Sequence, residues 1–212
     1  MADKVEIVNL ALQEMGAEPI TSLTDEAKTA RVMNERFNSL RDSFLRSHPW
    51  NFAKARTRLA RLEEPPAFGF KYAYALPADW LKILHVLTDD NRHPEEQVTQ
   101  PLYKVEGGQL LSDHEAVYMI YVRRITNTEE WDALAVDCFV LFLASRTARA
   151  ITQNLDLAET LEAQYRAKLS EARHFDATDE PARRVESDEW LAARVGAGHF
   201  GVHGLFRDIE DT

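Results

Sequence analysis

The stretch T-D-E-A-K-T-A-R-V-M-N-E-R-F-N-S-L-R-D-S-F-L-R-S-H-P-W-N-F, Thr24 to Phe52, decides how the rest of the chain can fold. Ala30, Met33, Phe37, Leu40 and Phe44 recur at steps of three and four, the spacing that lines up one apolar face on a helix. Thr24 offers an N-capping hydroxyl, Asp25 and Glu26 place negative charge at the positive end of the helix dipole, and Pro49 excludes helix at His48. Between those limits the helix would be on the order of 37 Å long, at about 1.5 Å per residue. Trp50 and Phe52 follow the stop at once and are predicted to plug the core beneath it.

Working outward, Asp3 is placed to cap a first helix with Ile7, Val8, Ala11, Leu12 and Met15 inward and Gly16 as its left-handed end. Glu18 to Ser22 turn the chain back, so the first two helices are predicted to pack as an antiparallel pair. After Pro49 the period changes to two. Ala53, Ala55, Thr57 and Leu59 alternate with Lys54, Arg56 and Arg58, a strand with one buried and one wet face that ends by Pro65-Pro66. Leu81–Leu87 and Ala116–Arg124 read as further strands, and Leu102–Glu106 with Gln109–Ser112 flank Gly107-Gly108 as a hairpin. One small antiparallel sheet is expected. From Thr128 the helical period returns through Trp131, Leu134, Ala135, Cys138, Phe139, Phe142 and Leu143. A last core helix, about Leu155 to Phe175, turns Ala158, Leu161, Tyr165, Leu169 and Ala172 inward and Glu162, Arg166 and Lys168 outward.

The expected fold is therefore α+β and mainly α: an antiparallel helical bundle with an inserted small antiparallel β subdomain and an extended C-terminal tail. Residues 1–50 form the first helical half, 51–126 the β insert, 127–177 the second helical half and 178–212 the tail. The segment from Asp176 onward holds half of the eight glycines and nine acidic residues against four arginines, too little apolar surface for a core of its own. Ser187 can cap a short helix there. Phe200, Leu205 and Phe206 are apolar anchors between glycines, suited to ordering on a partner; the alternative is a disordered end.

Composition narrows the function. A chain of 212 residues needs no covalent staple, and its one cysteine, Cys138, lies in an apolar run where a buried thiol is expected. Neither a charged-then-apolar leader nor a long apolar span is evident, so secretion and membrane insertion are not expected. The net charge of −10 argues against a general nucleic-acid binder, which carries a basic face. No G-x-S-x-G, phosphate-loop, C-x-x-C or H-E-x-x-H pattern occurs, and neither a cofactor nor a metal is implied. The acidic pairs Glu63-Glu64, Asp89-Asp90, Glu95-Glu96 and Glu129-Glu130 read as solvated loops or helix starts. Histidines His85, His93 and His114 show only local acidic neighbours, short of a converging ligand set. Lys54, Arg56 and Arg58 form a basic stripe, which reads either as an ordinary wet strand face or as a surface for a neighbouring subunit or partner.

Asn9-Leu10-Ala11-Leu12 through Met15-Gly16-Ala17, followed by the long helix and its closing His48-Pro49-Trp50-Asn51-Phe52, resembles the opening of the podovirus tail tubular protein A family. The likeness continues in Tyr72-Ala73-Tyr74-Ala75-Leu76-Pro77-Ala78-Asp79, in Tyr103-Lys104-Val105-Glu106-Gly107, and in element order to about Ala177. None of these pieces is a catalytic signature; their specificity lies in combination and order. The resemblance implies a non-enzymatic virion protein, the head-to-tail adaptor of short-tailed phages. It would be assembled in the host cytoplasm as a dodecameric ring beneath the portal protein, carrying the tail nozzle protein and letting genomic DNA pass without specific binding. By the same likeness Trp190, Phe200, Leu205, Phe206 and Arg207 in the tail would contact the portal. The alternative expectation is a tail-associated peptidoglycan hydrolase using some of the unassigned carboxylates.

Overall fold

A computed structural model of the chain describes residues 3–88 and 102–179. Among these residues the fold is mixed α/β, with four α-helices and two antiparallel sheets. Helix α1, Lys4–Glu14, opens with a capping box: the Asp3 carboxylate accepts from the Glu6 amide at 2.7 Å, and Glu6 reaches back to the Asp3 amide. It closes as predicted at Gly16, φ +65°, where the Gly16 amide donates to Gln13 and the Ala17 amide to Leu12, both at 2.9 Å. That paired geometry is a Schellman stop.

Helix α2 spans Lys28–Ser47, 20 residues or about 30 Å, shorter than the sequence suggested. Its beginning is the correction. Thr24 does not cap it; its hydroxyl pairs with that of Ser22 at 2.8 Å, and Asp25 folds back to accept from the Thr21 and Ser22 amides at 3.0 Å. Their polar groups are consumed by the preceding loop, and the helix starts after Ala27 with no side-chain cap. The far end is as read: His48 is extended at φ −140° before Pro49. Ala30, Met33, Phe37 and Phe44 are buried, with Leu40 half-buried beside them.

Two sheets, where one was expected, lie between α2 and the next helix in chain order. Strands β1 (Lys54–Arg58), β4 (Trp80–Leu87) and β7 (Tyr118–Arg123) form one, in order β1-β7-β4. Strands β2 (Ala60–Arg61), β3 (Tyr72–Ala75), β5 (Tyr103–Glu106) and β6 (Gln109–Ser112) form the other, in order β2-β3-β6-β5. The chain changes sheets at Leu59, a buried residue whose amide donates to the Val117 carbonyl at 2.9 Å. Alternation along β7 links two cores: Val122 joins the helical core, while Met119 and Tyr121 meet Tyr74 and Leu110 of the second sheet.

Helix α3, Ala133–Thr152, begins later than Thr128. Asn127 caps a short 3₁₀ turn at Thr128–Glu130, and Asp132 then caps the helix through the Leu134 and Ala135 amides at 2.9 and 3.2 Å. It is buried on more than one side, through Cys138, Phe139, Phe142, Leu143 and Ala148 among others. Helix α4 runs Leu155–Thr178, three residues past the expected end, with Leu161, Tyr165 and Ala172 buried. The helical core closes on aromatic rings: Phe44 lies 5.1 Å from Trp50, 5.8 Å from Trp131 and 5.2 Å from Phe139, and Phe142 meets Tyr165 at 5.0 Å.

Truncating the ring at the centre of this cluster, Phe44→Ala, is expected to cost about 3–5 kcal/mol in urea unfolding. Phe68→Ala, on a side chain 89% exposed, is expected to stay within about 0.5 kcal/mol. Comparable losses in the two variants would show that Phe44 is not the hub.

Candidate functional site

The H-P-W-N-F run builds a clasp. Because Pro49 forces the chain to turn out of α2, Trp50 drops onto Phe44 and sets its ring edge against His48 at 4.6 Å. Asn51 then faces the last turn of α4. Its amide donates to Asp176 Oδ1 at 2.9 Å, its side-chain Nδ2 donates to the Asp176 carbonyl, and His48 Nε2 lies 3.1 Å from Asp176 Oδ2. Lys54 Nζ donates to Asn51 Oδ1 at 2.7 Å. One carboxylate therefore ties the end of α4 to the end of α2, next to the boundary at Ala177 where the compact unit stops.

Burial holds the His48 imidazole below its ordinary value of 6.5, and the hydrogen bond and charge of Asp176 offset only part of that effect. Arg173 and Lys54 act in the same direction as burial.

The basic stripe is divided by this clasp. Lys54 is half-buried and committed to Asn51, whereas Arg56 and Arg58 are exposed on β1, an edge strand of its sheet among the described residues. The Arg58 guanidinium lies 5.9 Å from the Tyr118 ring, and Arg61 of β2 lies 4.1 Å from the Tyr72 ring. Arg61 and Arg58 both lower the Tyr74 phenol against the larger upward push of burial. Sequence reading passed over Arg61 because β2 is only two residues long and carries no legible period.

Other charged groups serve the joints between elements. Arg41, buried in α2, donates from Nε and Nη2 to Asp42 Oδ1 at 2.9 and 2.8 Å and from Nη1 to Asn38 at 3.3 Å. Asp42 also accepts from Arg124 at 2.8 Å, and Arg46 donates to the Leu81 carbonyl, so α2 is fastened to β4 and to the end of β7. Glu162 gathers Arg166 at 3.2 Å, Arg146 at 3.7 Å and the Ser145 hydroxyl at 3.3 Å. Of the acidic pairs, Glu63 and Glu64 are exposed in a loop, and Glu130 pairs with Arg123 at 2.8 Å. Among the described residues, no three of His, Cys, Asp and Glu converge as a metal-binding set, and no helix is long and apolar enough to cross a membrane. Cys138 is buried as read, its thiol pushed up to about 12 by desolvation. Trp190, Phe200, Leu205, Phe206 and Arg207 lie outside the described residues, as do Asp89, Asp90, His93, Glu95 and Glu96.

Removing the clasp carboxylate, Asp176→Ala, is expected to cost about 1–3 kcal/mol in urea unfolding, since it strips acceptors from Asn51 and His48. The His48 contribution has a defined sign: with its folded value lowered, stability is full above 6.5 and declines as pH falls from 6.5 through that folded value. NMR should therefore find His48 titrating below 6.5, and lower still in Asp176→Asn; a midpoint at or above 6.5 would show that Asp176, not burial, dominates.

No protein-family model matches this chain, and the search of curated proteins found no match to it.

Proposed function

We propose that this chain is a structural virion protein, the head-to-tail adaptor of a short-tailed phage. Copies assemble as a dodecameric ring below the portal, carry the tail nozzle and surround the path of the exiting DNA. The observation that supports the reading best is the place of His48-Pro49-Trp50-Asn51-Phe52, the run on which the family resemblance rests. Trp50 is buried against Phe44 in the aromatic cluster, and His48 and Asn51 hold the end of α4. The functional reading rests on that likeness of sequence, by family analogy.

The helices then act as an antiparallel bundle forming the ring wall, with the two sheets reaching toward a neighbour or the nozzle. The exposed Arg56 and Arg58 supply a basic edge to a chain of net charge −10, suited to a neighbouring subunit's acidic surface. Ring closure multiplies weak contacts, because each later contact forms at high effective concentration. An acidic channel wall lets phosphate slide past, where a basic wall would hold it. Residues 178–212, with Trp190, Phe200, Leu205, Phe206 and Arg207, engage the portal rim.

Light scattering of the protein mixed with purified portal rings tests this directly. The expected outcome is a multi-subunit ring added to the portal; a chain indifferent to the portal at every ratio would remove the adaptor role. Phe200→Ala combined with Phe206→Ala is expected to weaken portal capture at least about tenfold with the urea midpoint unchanged. A large fall in the midpoint would instead assign those rings to a core.

A further inference from the structure

Strand β5 has a neighbour, β6, on one side, and among the described residues nothing pairs with its other side. The turn between them is two residues long, Gly107 and Gly108 at φ +58° and +78°, and joins Glu106 to Gln109 as facing partners. In such a hairpin the residues flanking the turn exchange both backbone hydrogen bonds, and the direction alternates from there. Glu106 and Lys104 thus spend their amides and carbonyls on β6, whereas Val105 and Tyr103 offer theirs to the edge that no described strand pairs. Leu102 and Val105 are 73% and 38% exposed there. Lys104 and Glu106 share one face of the strand, paired at 2.7 Å with both side chains mostly in solvent.

We propose that β5 is a self-pairing edge, on which a second copy of this chain docks antiparallel with Val105 opposite Val105, merging two four-stranded sheets into one of eight strands. The charge pattern selects this occupant and this register. About Val105, each Lys104 faces Glu106 of the second copy, giving two opposite-charge cross-strand pairs by symmetry. A slip of two residues either way sets Lys104 against Lys104 or Glu106 against Glu106, and parallel pairing does both. A slip of one residue puts the outward amides out of phase. The same contact covers an edge that otherwise invites indiscriminate strand addition. A two-fold contact does not repeat around a cyclic ring, so this interface stands apart from the adaptor reading, and either can fail without the other.

The contact is far smaller than a standard interface, so a Kd on the order of 100 μM is expected. Sedimentation equilibrium of the full chain should show mass rising with concentration from 24.2 kDa toward twice that value. Val105→Pro removes the outward amide without touching a β5–β6 bond and should abolish the rise, with circular dichroism unchanged. Lys104→Glu should weaken dimerisation by about tenfold or more, and K104E combined with E106K should restore it. A chain that stays monomeric well above the expected Kd overturns the proposal. So does a larger assembly whose mass is indifferent to Val105→Pro, or a double variant no better than K104E alone.

Discussion

Pro49 is the constraint from which most of the compact unit follows. By denying His48 a helical conformation it ends α2 at a fixed residue, and by sending the chain back across the helix end it delivers Trp50 onto Phe44. Phe44 then lies against four rings, Trp50, Trp131, Phe139 and Phe142, and Phe142 carries the contact on to Tyr165 of α4. Each aromatic pair adds about 0.5–1.5 kcal/mol beyond its buried area. The cluster is also why Trp50 and Trp131 sit with indole N–H groups buried and without an acceptor among the described residues. Leaving such a donor unsatisfied costs about 1–3 kcal/mol, and burial of the large rings has to exceed it.

The second half of the same run turns a packing event into a polar one. Once Trp50 is seated, Asn51 has its amide and side chain fixed toward the end of α4, and Asp176 answers both while also meeting His48. Elsewhere along α2 the arrangement is charged: Asp42 bridges Arg41 and Arg124, and Arg46 donates to the Leu81 carbonyl. A buried guanidinium such as that of Arg41 persists only when its donors are matched, and here Asp42 and Asn38 supply the acceptors from its own helix. Lys4, lying over Phe37 at 4.7 Å, feels that burial and the Arg41 charge, and its ammonium is lowered below the usual lysine value. Helix and sheet are thus joined by side chains that belong mostly to α2.

What the sequence made legible was whatever a single period or a single stereochemical rule controls. The α2 stripe, the stop at Pro49, the Gly16 end of α1, the Gly107-Gly108 hairpin and the inward face of α4 all belong to that kind. What it hid were choices between competing local bonds. Thr24 and Asp25 carry good capping chemistry, yet their groups meet loop amides first. Asn127 and Asp132 both make caps, and only the structure tells which one starts α3. The division into two sheets was hidden for a topological reason: the alternation from Ala53 to Leu59 is unbroken, and nothing in it says that the chain leaves one sheet for the other at its end. Lys54 and Arg56 look equivalent by period, but only Lys54 lies within reach of Asn51. Asp176 carried no signal, being one acid among many, recognisable only once α4 brings it opposite Asn51.

These distinctions bear on how the molecule acquires a role. Residues that fix the fold, Phe44, Trp50, Asn51 and Asp176, are consumed by their neighbours and have little surface left for a partner. Arg56 and Arg58 on β1 and Val105 on β5 are exposed residues at strand edges. A strand edge is a directional set of donors and acceptors, so it selects partners by register, whereas a charged helix face selects them only by sign. Identical copies that meet in one geometry need the first kind of selection. Because Arg56, Arg58 and Val105 belong to neither core cluster, they can change without disturbing the Phe44 cluster.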